Sequence, residues 1–144
     1  MASFLLPSSV VLVFLLSAAG PSSGQFPVSE VRMEAVENAW RDSFMIQLAD
    51  LYGVMAVNSE RFKDWEENLW KRSSKDKRFE PLVMTGLRKV MAGKNKDNVM
   101  VLLEFTISVE RGGREAVLHA LVRVGKSEEF QLDNWTITEP PKSS

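Results

Sequence analysis

Over residues 99–109 every second position is apolar: Val99, Val101, Leu103, Phe105, Ile107 and Val109 alternate with mostly polar neighbours such as Glu104, Thr106 and Ser108. A period of two sends successive side chains to opposite faces, so this stretch predicts a strand with one buried and one wet face. Ala116, Leu118, Ala120, Val122 and Val124 repeat the pattern. Between the two runs, Arg111-Gly112-Gly113-Arg114 predicts a hairpin turn, because adjacent glycines accept the positive φ of tight turns. After an interruption at residues 125–128, Phe130, Leu132, Trp135 and Ile137 predict a last strand whose phase changes near Asn134. Upstream, Lys89, Val90, Met91, Ala92 and Gly93 read as the turn-like end of another apolar run.

A different period governs the first half. Met33, Val36, Trp40, Phe44, Leu48, Leu51 and Met55 recur at threes and fours, which is helical spacing. Either one helix occupies most of residues 29–58, or Asp42 and Ser43 cap a helix that starts at Phe44 and residues 29–41 form a separate lead-in. Gly53 weakens a helix interior by about 1 kcal/mol relative to Ala, and close approach of a sheet would explain it. Residues 59–78 turn charged, yet Phe62, Trp65 and Leu69, with Trp70 beside them, keep helical spacing and predict a second helix ending near Ser73 and Ser74. Such a helix presents either a solvated face or a tryptophan patch that recruits a partner. Helix followed by antiparallel meander defines an α+β domain.

Composition narrows the possible functions. The 144 residues suffice for one well-buried core, and a net charge of −1 gives no field suited to nucleic acid. Residues 1–24 carry no ionisable side chain and contain an apolar segment over 10–16 followed by Ser17, Ala18, Ala19 and Gly20, the order of a secretory signal peptide cleaved between Ala19 and Gly24. The expected product is a secreted, extracellular monomer with no membrane segment after cleavage. With no cysteine the domain relies on packing alone, and thiol catalysis and cysteine zinc sites are excluded. One histidine, His119, excludes a multi-histidine metal centre, and no nucleophile motif accompanies it, so neither catalysis, a metal nor a cofactor is expected. Asn134-Trp135-Thr136 fits the glycosylation sequon.

From Trp40 onward the motifs also follow a known order. Trp40, the pair Ile46-Gln47, Tyr52-Gly53-Val54 and Asn58 are followed by Val90-x-Ala92-Gly93, Gly112-Gly113, Ala120-x-Val122-x-Val124, then Glu128 and Phe130. In order and spacing this resembles the cystatins, closest to the secreted plant members associated with defence. The resemblance implies a cystatin-like fold, an N-terminal α-helix packed on a four- to five-stranded antiparallel sheet, over residues 40–137. Residues 25–39 would be its N-terminal trunk, 138–144 its tail and about 59–78 an insertion. It also implies a reversible, non-covalent inhibitor, not an enzyme, whose partner is a papain-like cysteine protease plugged by a trunk and two hairpins.

The protease-binding residues implied in this way are Asn38 and Ala39 in the trunk, Lys89, Val90, Met91, Ala92 and Gly93 in the first hairpin, and Gly125, Lys126 and Ser127 in the second. Several depart from the family pattern. Asn38-Ala39 replaces the trunk glycine, Lys89 the hairpin glutamine, and Lys126-Ser127 the Pro-Trp pair. A hydrated lysine is penalised in a dry cleft unless it is paired, and a lost tryptophan anchor costs about 2 kcal/mol or more, roughly thirtyfold in affinity. Inhibition is therefore expected to be weakened or retargeted, with Lys89 and Lys126 making the wedge edge basic. The alternative is a non-inhibitory module that captures a protein partner through Phe62, Trp65 and Trp70.

Overall fold

The computed structural model describes residues 10–12, 30–71 and 78–139. Strand β1 (Val10–Leu12) and β2 (Glu30–Ala35) precede a single-turn 3-10 helix (Ala39–Arg41) and the long helix α1. Then come β3 (Leu82–Lys94), β4 (Met100–Arg111), β5 (Arg114–Val124) and β6 (Phe130–Thr138). All strands pair antiparallel in sequence order, so β2 to β6 form a five-stranded meander to whose edge the three-residue β1 is added. The fold is the expected α+β arrangement of one helix on an antiparallel sheet, except that the helix follows β2 instead of opening the domain. Val10–Leu12, read from the sequence as part of a leader, pairs with β2, Val11 opposite Val31. The other residues of 1–24 lie outside the described residues, as does the end of the expected second helix at Ser73 and Ser74.

Helix α1 begins where Asp42 accepts hydrogen bonds from the backbone N–H groups of Phe44 and Met45, satisfying two donors that a helix start leaves unpaired. Of the two sequence readings, the one with Asp42 as cap is the structure. Three contiguous stretches make up the helix: Ser43–Leu48, a π-helical segment Ala49–Met55, and Ala56–Glu67. The expected break after Asn58 is absent. Asn58 would weaken the helix if its amide competed for helix backbone, but it is turned outward to the sheet. Its Nδ2 donates to Leu82 O at 2.9 Å and its Oδ1 accepts from Leu82 N at 2.8 Å. The helix therefore runs on to Glu67. Asn68, in the capping position, donates from Nδ2 to Asp64 O.

The face that α1 presents to the sheet carries Ala49, Gly53, Val54 and Val57. They meet the inward face of β3 to β5, with Val90, Leu103, Phe105, Ile107, Leu118 and Val122 all 1% exposed or less. A Cβ added to Gly53 would lie 3.0 Å from Ile107 Cδ1, so the glycine permits the close approach expected of it. On the opposite face a smaller cluster joins Val31, Met33 and Leu102.

The strands are not regular. In β3 the register against β4 slips between Met84 and Gly86 and again between Leu87 and Lys89, leaving Thr85 and Arg88 as extra residues. Between β5 and β6, Leu121 faces Asn134 while Val122 faces Leu132, so Asp133 is bulged. That bulge is the phase change read near Asn134, and Arg123 holds it through a 2.6 Å ion pair to Asp133.

Replacing Asn58 with Ala is expected to cost about 1–3 kcal/mol, because it strands a backbone donor and an acceptor at the start of β3. Urea unfolding checks this, and unchanged stability would show that Leu82 finds water at no cost.

Candidate functional site

Topology gathers three chain segments at one end of the sheet. Residues 95–99 join β3 to β4, residues 125–129 join β5 to β6, and β2 begins there because Arg32 pairs with Lys94. The two connections have one hydrogen-bonding plan. Asn95 N donates to Val99 O and Asn98 N to Asn95 O; Gly125 N donates to Glu129 O and Glu128 N to Gly125 O. Each has its fourth residue at positive φ, Asn98 at 62° and Glu128 at 60°. Asparagine tolerates that conformation, whereas glutamate carries its Cβ there at a strain cost. With two strand spacings between them the turns lie roughly 10 Å apart.

Local polar contacts set the first turn. Asn95 Oδ1 accepts from Asp97 N at 2.9 Å and Val99 N at 3.0 Å, a side-chain copy of a backbone turn. Asn98 Oδ1 accepts from Arg32 Nη2 at 2.7 Å, which ties β2 to the turn. Arg32 Nε also reaches Glu34 at 2.8 Å, and Lys94 Nζ lies 3.3 Å from the same carboxylate. The Arg32 and Lys94 hydrogen bonds hold the Glu34 carboxyl below its ordinary pKa.

The exposed tips carry Lys96, Asp97, Asn98 and Val99 on one turn and Lys126, Ser127, Glu128 and Glu129 on the other. Val99, 54% exposed, is their apolar member. Two lysines face three acids, so the uniformly basic edge expected from Lys89 and Lys126 is not formed.

Among the expected contact residues, Gly125, Lys126 and Ser127 do lie in a turn at this end. Lys89 to Gly93 do not. The strand passes straight through them, and the hairpin turn comes after Lys94. Met91, Ala92 and Gly93 are paired on both sides, to β2 and to β4. Val90 and Ala92 point into the core beneath α1, and Lys89 is exposed but stands opposite Thr106 within the sheet. Gly93 serves packing across the sheet. A Cβ there would come 2.6 Å from Val31 Cγ1, 3.0 Å from Met33 Sδ and 3.1 Å from Leu102 Cβ.

Asn38 and Ala39 are displaced as well. Pairing of Ala35 with Met91 and the bond from Val36 N to Val90 O carry the chain along β3 away from the turns. Asn38 then adopts φ 55° ahead of the 3-10 helix, and Ala39 is buried in the main core. Sequence reasoning missed residues 95–99, although Asn95, Asp97 and Asn98 between two apolar runs are a turn signal.

His119 stands on the wet face between Thr106 and Thr136, with Nε2 3.4 Å from Thr138 Oγ1. Asn134 is exposed within β6, and its Oδ1 accepts from Trp135 N.

No family model, no curated protein and no solved structure matches this chain.

Substituting Gly93 by Val is expected to lower stability by about 2 kcal/mol through overpacking against Val31, Met33 and Leu102. Thermal unfolding of the variant is the check. A stability equal to that of the parent chain would return Gly93 to the role of an exposed loop glycine.

Proposed function

We propose that the chain is a secreted, non-covalent inhibitor of papain-like cysteine proteases that presents the end of its sheet to the active-site cleft. The contact surface in this proposal is residues 95–99 with residues 125–129 and the start of β2, and residues 89–93 are its internal support. One observation carries the reading: two exposed turns of identical hydrogen-bonding plan project side by side from a rigid sheet, braced by the Arg32 to Asn98 bond. A rigid pair of narrow turns enters a cleft at little ordering cost, which is what a plug requires.

The chemistry of the tips sets the strength. No tryptophan or proline stands on either turn, and Val99 offers far less area than an aromatic anchor. The lysines and acids must be matched by the cleft, so binding is selective for a complementary charge pattern and weak elsewhere. Secretion, glycosylation at Asn134 and removal of residues 1–24, which takes the edge strand β1 with it and leaves β2 to β6, belong to the same proposal.

A second reading uses the segment after Asn58. Phe62 is 43% and Trp70 78% exposed, which suits a partner-binding face. Trp65, however, is half-buried and packs against Phe62 and Phe79 at centroid distances of 5.5 and 5.8 Å. Part of the aromatic surface is therefore spent on internal packing.

Steady-state titration of papain and a cathepsin-L-like protease with the full chain tests the inhibitor reading. Reversible inhibition is expected, and exchanging both Lys96 and Lys126 for Glu should change the inhibition constant by about tenfold without lowering Tm. Absence of inhibition by a cooperatively folding chain contradicts the reading.

A further inference from the structure

Away from the turns, the second half of α1 overhangs an open recess of about 780 Å³ bordered by residues 78–80, the β4–β5 hairpin and Trp135 of β6. Its walls combine two chemistries. Trp65, Phe79 and Trp135 give it flat apolar surface, while Arg61, Arg78, Arg111 and Arg114 bring four guanidinium groups. Among the described residues Arg111 is the one of these four with an ion pair, 2.7 Å to Glu139. Arg61 donates to the neutral Asn58 Oδ1 at 3.2 Å and lies 5.3 Å over the Phe79 ring.

One further fact indicates that something belongs here. Arg61 is partly desolvated and faces the like charge of Arg111, and both effects lower its pKa, opposed by the negative charge of Glu80. An anion between the two guanidinium groups would relieve the repulsion.

Carboxylates on the same walls limit what that anion is. Glu60 is fixed by Trp135 Nε1 at 2.9 Å, Asp64 lies 3.3 Å from Asn68 Nδ2, and Glu80 leans over Gly112. A multiply charged phosphate would be repelled by these three acids, whereas one negative charge on a planar apolar body is matched by the guanidinium groups and the rings.

We infer that this recess is a binding site for a small aromatic carboxylate, its ring against the exposed faces of Phe79 and Trp135 and its carboxylate accepting from Arg61 and the neighbouring guanidinium groups of the wall. The site is built by the segment that lengthens the helix–strand connection, and it stands independently of any protease contact at the other end of the sheet.

Calorimetric titration of the full chain with 3-phenylpropanoate, and with the neutral 3-phenylpropanamide, is the test. The acid is expected to bind saturably and the amide about tenfold more weakly, because the charge-assisted hydrogen bonds are lost. Arg61→Gln should weaken the acid by a similar factor while leaving the amide unchanged. Trp65→Phe, which removes the five-membered ring together with its N–H and leaves the charges in place, should change acid and amide binding by a similar factor. Arg114→Gln, on the exposed hairpin, gives a second charge variant that does not threaten the fold. Equal binding of acid and amide, indifference of acid binding to Arg61→Gln and Arg114→Gln together, or no saturation by a chain whose near-ultraviolet circular dichroism shows it folded would each overturn the inference.

Discussion

Everything in the molecule depends on how closely one helix can lie on one sheet. With Gly53 over Ile107, and Ala49, Val54 and Val57 beside it, the axis of α1 sits low enough for a core without cysteines to close. The π-helical segment Ala49–Met55 coincides with this contact. Asn58 then fixes the outgoing half of the helix to the first residue of β3 by two hydrogen bonds. Burial of Phe105, Ile107, Leu118 and Val122 supplies the driving force, and Gly53 and Asn58 determine the geometry in which it is realised.

The parts of the fold that obey a period were readable. Residues 99–109 and 116–124 alternate cleanly because β4 and β5 pair without a slip from Leu102–Arg123 to Arg111–Arg114. Asp42 was readable as a cap, Gly112-Gly113 as a turn and Asn134 as a point of phase change, each for a local chemical reason. Strand β3 was not. Its two extra residues, Thr85 and Arg88, move the inward face twice within thirteen positions, so no period of two survives in the sequence. Gly93 misled for a related reason. A glycine at the end of an apolar run signals a turn, but this one makes room for Val31 and Met33, more than fifty residues earlier in the chain. Such a requirement is tertiary and leaves no local mark.

The candidate site shows the same division. Residues 125–127 were placed in a turn correctly by the interruption of alternation, while residues 89–93 were placed by likeness to a motif and belong to the middle of the sheet. Two turns and the start of β2 share one end of the sheet. The residues implied by the resemblance to lie there are partly elsewhere. At the opposite end, the segment after Asn58 extends α1 and overhangs a recess rich in arginine and aromatic rings. One scaffold thus carries exposed polar turns at one end and a recess lined by arginines and aromatic rings at the other.

The central structural claim is that residues 89–93 are interior sheet and that the exposed tips are residues 95–99 and 125–129. Native-state hydrogen exchange resolved by residue tests it most directly. The amides of Met91, Ala92 and Gly93 should exchange as slowly as those of Phe105 and Ile107, because a strand lies on each side of them. Those of Lys96, Asp97, Lys126 and Ser127 should exchange orders of magnitude faster. Rapid exchange across residues 90–93, comparable with that of the turns, would contradict it and return the hairpin to the position that the sequence motif suggests.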